Sequence, residues 1–224
     1  MRNLPARYLT NNKLVEQYSE YIDRKDILEV GAYYGAFTKC VLEKAGTYTG
    51  IEPSKHACEY NKEKNPEAEI FQGTLEKAVE TNAFGDKKFD TIILWDVIEH
   101  VPDPIRTLKL INGLLKDGGK VIFSTINIES SWCLLLGPFW PWFMDMHYWY
   151  FSDRGYVDML HRSGFVMKEH RHFSYYVYFS YFVNKAMSMI MPRFKLPRDM
   201  DKALQRPIKI TFGDTVAIVG TKTA

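Results

Sequence analysis

Short apolar runs alternate with amphipathic stretches through the first 127 residues. The first clear run is DILEVG at 26–31, which ends in glycine and passes into a helical pattern over 36–44. A polar-faced helical stretch precedes it. The same beat then repeats, predicting strands over 48–52, 69–72, 89–95 and 120–125 and helices over 54–64, 75–81 and 104–115. These strands are β-branched and apolar on both sides, and strands alternating with helices predict a parallel sheet covered on both faces. LKDGGK at 115–120 predicts a Gly-rich turn from helix into strand.

Beyond Asn127 the beat stops. An aromatic-rich segment runs to Tyr150, a helix is predicted over 153–162, and Ser163-Gly164 leads into a strand from Phe165. A second aromatic stretch, 175–182, continues into a Met-rich helix ending near Met191, and DTVAIVG at 214–220 predicts a last strand inside the sheet. With no repeat or linker, residues 1–224 read as a single domain. Its core is expected over 26–127, with lid and acceptor elements over 128–150 and 173–207.

Composition narrows the function classes. A formal charge of +2 argues against nucleic acid as a partner. Cys40, Cys58 and Cys133 form no CxxC pair, so neither a disulfide framework nor a zinc knuckle is expected, in keeping with a cytoplasmic chain. The N-terminus is too polar for a signal peptide. The most apolar segment, SWCLLLGPFWPWFM at 131–144, is broken by Pro138 and Pro141 and too short to span a bilayer.

The chemistry starts at EVGAYYG, 29–35, where the first strand turns into the first helix and doubly wound folds bind nucleotides. Glu52 ends the second strand, where a carboxylate can accept both hydroxyls of a ribose. A nicotinamide dinucleotide fits this loop poorly. Gly31 and Gly35 lack the G-x-G-x-x-G spacing, and Glu29 would repel a pyrophosphate while suiting a cationic ligand.

Four segments, ILEVGAYYG, YTGIEPS, FQGTLEKA and FDTIILWDVIEHVPDPIRTLKLINGLLKDGGKVIFST, resemble the class I S-adenosylmethionine (SAM) dependent methyltransferases. The similarity is strongest to the group that includes ubiquinone-biosynthesis O-methyltransferases and small-molecule and glycan-cluster methyltransferases. The resemblance implies an α/β doubly wound, mostly parallel seven-stranded sheet with an aromatic lid inserted after the fifth strand. It implies SAM as cofactor and S-adenosylhomocysteine as product. Glu29, Gly31 and Gly35, with Ala32 between them, would hold the methionine moiety; Glu52, beside Pro53, the ribose; Thr74 and Leu75 the adenine edge; and Asp96 and Val97 the methionine and sulfonium. Two positions depart from the family pattern: Tyr33 stands where a further glycine is usual, and Thr74 where an acid is frequent.

On the acceptor side the base candidates are Glu99, His100 and His147. In the resembled family the Glu99-His100 pair is a structural element on the cofactor side, which leaves His147 the stronger catalytic candidate; its plain alternative is to anchor the lid. His170 and His172 lack a third ligand at suitable spacing, and no metal is expected. Trp132, Trp140, Trp142 and Trp149 fall in the lid, where they suit a partly apolar small-molecule acceptor or simply pack the lid onto the domain. The stretch 175–191, followed by Arg193, Lys195, Arg198 and Lys202, suits either the inner face of a membrane or a homodimer interface. The leading expectation is O-methylation of a small metabolite or a glycan- or lipid-linked precursor; the alternative is a non-catalytic SAM-binding regulatory or scaffolding protein.

Overall fold

A computed structural model describes residues 4–191 and 193–223; residues 1–3, 192 and 224, which the single predicted domain includes, lie outside the described residues. Two helices, α1 (Leu4–Gln17) and α2 (Ser19–Ile22), lead into an alternating series. It runs β1 (Asp26–Val30), α3 (Ala36–Leu42), β2 (Thr47–Glu52), α4 (Lys55–Lys64), β3 (Glu69–Gln72), α5 (Leu75–Glu80), β4 (Phe89–Leu94), α6 (Pro104–Leu114) and β5 (Leu115–Ile126). After it come α7 (Ser131–Leu136), α8 (Asp153–Arg162), β6 (Phe165–His172), β7 (Tyr175–Tyr178), α9 (Phe179–Ile190), α10 (Arg198–Ala203), β8 (Pro207–Ile210) and β9 (Thr215–Lys222). Side-chain caps mark the helix starts: Ser54, Thr74, Asp103 and Ser152 each accept from a backbone N–H of the first turn.

Seven strands form one sheet in the order β3-β2-β1-β4-β5-β9-β6, parallel from β3 to β5, with β9 antiparallel to both of its neighbours. As predicted, the last strand lies inside the sheet. Period-two alternation sends Leu28, Ile92, Val121 and Ile218 to one face, with Leu75, Leu108, Ile111 and Leu160 of α5, α6 and α8. Their neighbours Ile27, Ile93, Ile122 and Val219 go to the other, under Leu14, Val15, Phe37 and Val41 of α1 and α3. The reversal of strand order between β1 and β4 opens a crevice at the C-terminal ends of the parallel strands.

One expectation needs correction. LKDGGK is no simple turn: β5 begins at Leu115, paired with Phe89, and 116–119 bulge out before Lys120 pairs with Thr91. Lys116 on this bulge bridges Asp26 (2.7 Å) and Asp90 (2.9 Å) at the starts of β1 and β4. The aromatic stretch from Tyr175, for which no element is predicted, opens with a strand before the Met-rich helix α9, and β7 pairs antiparallel with β8 in a separate two-stranded sheet. No described helix is long and apolar enough to cross a membrane.

Candidate functional site

The loop after β1 is shaped by backbone that a β-carbon would disturb. Gly31 has φ 86°, its N–H donates to Ile51 O (2.9 Å), and a β-carbon there would meet Val97 Cγ2 at 2.6 Å. Gly35 shares the positive φ (77°) and has a further reason to be glycine: its α-carbon lies against the amides of Asn61 on α4 and Asn65 at the α4 C-cap, and Asn65 Nδ2 donates to Gly35 O (3.2 Å). Gly35 therefore fastens the loop to α4. Tyr33, the departure from the family pattern, adopts φ 46°, the left-handed backbone that explains why glycine is usual there. Its ring is half exposed and packs edge-on against Tyr34 at 4.4 Å.

Glu29 and Glu52 are both buried. Burial pushes the Glu29 carboxyl up to about 7, against the lowering effect of hydrogen bonds from Tyr48 and Thr38 to its Oε2. Its Oε1 takes no hydrogen bond among the described residues. Glu52 spans the mouth of the loop, with Oε2 accepting from Tyr33 N and Oε1 from Ser54 N, both at 2.8 Å. Each oxygen keeps a lone pair, so a ribose diol still has acceptors. Pro53 is exposed beside it; Thr74 is exposed with its hydroxyl used as the α5 cap, and Leu75 is buried, which leaves backbone groups to meet an adenine edge.

Asp96, directly beyond β4, has φ 52°, and its N–H donates to Ser124 Oγ (2.8 Å) while that hydroxyl donates back to Oδ1 (2.6 Å). It is open to solvent yet ringed by protein, and this desolvation raises its carboxyl. Glu99 sits a turn further on, 2% exposed; burial first and then Asp96 push its carboxyl up to about 8, and its Oε2 has no partner. The carboxyl groups of Glu29, Glu52 and Asp96 around a glycine-floored crevice fit a cationic nucleoside such as SAM better than a phosphate.

The aromatic segment after β5 packs against this end. Tyr148 N and Trp149 N both donate to Glu99 O (2.9 and 3.3 Å), and Trp149 Nε1 donates to Val101 O (3.0 Å). This zip brings His100 and His147 together, with ring centroids 4.7 Å apart. Nδ1 of His100 bonds Met146 O and Nδ1 of His147 bonds Trp142 O, each at 2.8 Å. A carbonyl can only accept, so each imidazole carries a proton on Nδ1, and in its neutral form the lone pair is on Nε2. Burial lowers the His147 pKa, favouring the neutral ring. One ligand atom from each of Glu99, His100 and His147 lies within 4.8 Å of the others.

The four lid tryptophans divide. Trp140 is fully buried and Trp142 half-buried, with both indole N–H groups directed at Asp214 Oδ2 (3.4 and 2.8 Å), whereas Trp132 and Trp149 are exposed. The lid tip carries Leu134, Leu135 and Phe139 in solvent. Sequence patterning missed three residues here. Asp214 read only as a strand start, Trp95 only as a strand end, and Tyr175 only as surface. Instead Trp95 packs edge-on against Phe37 and Phe173, Phe173 contacts Tyr175, and burial followed by the Asp96 carboxylate holds the Tyr175 phenol well above its ordinary range. His170 and His172, 6.4 Å apart, gather no third ligand among the described residues.

Comparison with known proteins adds a family. The family described as "Methyltransferase domain" matches residues 4–170. The ubiquinone biosynthesis O-methyltransferase of Histophilus somni is 29% identical over 133 residues, 57% of this chain and 56% of that protein. The chain thus spans little more than half the length of such curated relatives. Among solved structures, a SAM-dependent methyltransferase from Thermotoga maritima matches with TM-score 0.60 at 22% identity, covering 96% of this chain and 89% of that one. The magnesium protoporphyrin IX methyltransferase of Synechocystis, solved with bound S-adenosylhomocysteine, matches at 0.62 and 11%, covering 97% and 84%. These two likenesses concern the fold.

Proposed function

This chain belongs to the class I SAM-dependent methyltransferase family, and from that membership we propose that it methylates an oxygen of a small, partly apolar acceptor. The observation that carries the acceptor reading is the Glu99, His100 and His147 cluster, whose imidazole tautomers are fixed by backbone carbonyls on the lid side of the crevice. Bound SAM supplies an activated methyl, which passes to the attacking oxygen as the carbon–sulfur bond breaks and its electron pair stays on sulfur. The protein's part is orientation and removal of the acceptor's proton.

In this reading Glu29 and the Gly31 loop hold the methionine end, Glu52 orients the ribose and Asp96 faces the sulfonium. The acceptor's hydroxyl proton leaves at the histidine cluster, with His147 kept neutral by burial. Trp142, Tyr150 and the apolar lid tip, Leu134, Leu135 and Phe139, suit the apolar part of an acceptor. The ubiquinone-pathway name of the relatives supports a phenolic or catechol-like ring.

Calorimetric titration with SAM, S-adenosylhomocysteine and NADH, with Glu52→Ala in parallel, tests the cofactor assignment. Binding of both sulfur nucleosides but not NADH, lost in the variant, is expected. Methyl transfer from labelled SAM to a catechol panel but not to an amine panel is then expected. Tight SAM binding without turnover of any acceptor would favour the non-catalytic alternative.

A further inference from the structure

Tyr33 holds a backbone conformation that destabilises an L-residue and suits glycine: its φ is 46°, in the middle of the loop that joins β1 to α3. Little that its ring does within the protein offsets this. The side chain is 52% exposed, and its ring meets Tyr34 edge-on with centroids 4.4 Å apart. Tyr34, by contrast, is anchored, packing edge-on against both His56 (5.8 Å) and Tyr60 (5.4 Å) of α4. A strained residue that presents an exposed ring beside a ligand crevice points to a task in holding the ligand.

The place of the ring follows from one hydrogen bond. Tyr33 N donates to Glu52 Oε2 at 2.8 Å, on the carboxylate assigned to the ribose. A ribose hydroxyl bonded to that same oxygen lies within about 5.5 Å of Tyr33 N, inside the reach of a tyrosine side chain. The loop itself is held at both ends, by Gly31 N on Ile51 O and by Asn65 Nδ2 on Gly35 O. The ring can therefore turn over the sugar by side-chain rotation alone, with Tyr34 as its backstop.

We propose that the Tyr33 ring folds over the bound nucleoside, covers the ribose from the solvent side, and sets the rate at which S-adenosylhomocysteine leaves. The inference rests on the placement of the ribose at Glu52. The apolar body of the ring lies on the sugar while the phenol tip stays in water. A glycine at this position leaves that side of the nucleoside open, so the left-handed backbone is kept for binding rather than for folding.

Parent, Tyr33→Phe and Tyr33→Gly proteins loaded with labelled S-adenosylhomocysteine and chased with an excess of the unlabelled nucleoside test this. The glycine variant should release label about tenfold faster, with its association rate changed by less than about threefold, and the phenylalanine variant should stay within about twofold of the parent. The urea midpoint of the glycine variant should be no lower than the parent's, because φ 46° suits glycine. Unchanged release from the glycine variant places the ring off the nucleoside, and slower release makes the ring an obstruction; either result overturns the proposal. Release from the phenylalanine variant as fast as from the glycine variant overturns it as well, since the hydroxyl and not the ring would then hold the ligand. Glu52→Ala separates this inference from the one beneath it. If the parent binds no S-adenosylhomocysteine, or Glu52→Ala binds it as tightly as the parent, the ribose placement itself is removed. If Glu52→Ala loses affinity while Tyr33→Gly releases label at the parent's rate, only the role of Tyr33 is removed.

Discussion

Gly31 is where a single β-carbon has the largest expected effect on the crevice. Gly31→Ala forces an L-residue into φ 86° and places its β-carbon 2.6 Å from Val97 Cγ2. A cost of about 1–3 kcal/mol in stability is expected, seen as a lower urea midpoint. SAM affinity should fall by at least about tenfold, which corresponds to about 1.4 kcal/mol, because Val97 is pushed toward the ligand. Calorimetry beside chemical unfolding separates the two effects, and unchanged affinity in a destabilised protein would mean that the crevice lies elsewhere. Gly31, Glu29 and Glu52 were legible in the sequence because the strand–turn–helix pattern fixes where they sit. The reason for Gly35 was not. Its partners Asn61 and Asn65 lie on α4 and at its C-cap, some 26 and 30 residues along the chain, and nothing local points to them.

At the scale of elements, the helices and strands from 26 to 126 followed the predicted order because each has one period, and α4, α5 and α6 each start at a side-chain cap. The lid did not, since a proline-broken aromatic segment has no period to read. Its one carboxylate anchor among the described residues is Asp214, which, at the entrance to β9, receives both Trp140 and Trp142 indole N–H groups. Asp214→Ala removes two charge-assisted hydrogen bonds and should loosen the lid by about 2–3 kcal/mol. Hydrogen exchange of amides across 131–150 should rise about thirtyfold or more, while the amides of β1 and β4 stay protected. If the segment serves the acceptor side, as proposed, methyl transfer should fall with SAM affinity nearly unchanged. If β1 and β4 exchange as fast as the lid, Asp214 supports the whole fold instead. The β7–β8 pairing escaped prediction for a similar reason: strand partners 29 or more residues apart leave no local trace, and the aromatic run reads equally as surface or core.

For the whole molecule, Glu29 links pH to stability and to cofactor binding. Burial raises its carboxyl from the ordinary 4.5 to about 7, so the folded state holds a proton that the unfolded chain has already released. Its contribution is full below about pH 4.5 and is lost as pH rises to about 7, amounting to roughly 3 kcal/mol across that window. Other groups titrate in the same range, so the comparison is with Glu29→Gln, which keeps the hydrogen bonds from Tyr48 and Thr38 but cannot ionise. Urea unfolding from pH 4.5 to 8 should show the parent losing stability relative to the variant up to about pH 7 and running parallel above it.

Cofactor binding has the opposite slope. If the ammonium of SAM lies against Glu29, the site must hold the ionised carboxylate, and affinity should rise about eightfold from pH 6 to 7.4 before the ligand's own amine titrates near about pH 8. The variant should bind weakly and without that rise. A pH-independent affinity in the parent would detach Glu29 from the methionine end and leave its burial among Tyr48, Thr38 and Asn61 as purely structural. The loss of apo stability and the gain in affinity thus come from one proton, and only a ligand carrying positive charge at that end of the crevice produces both.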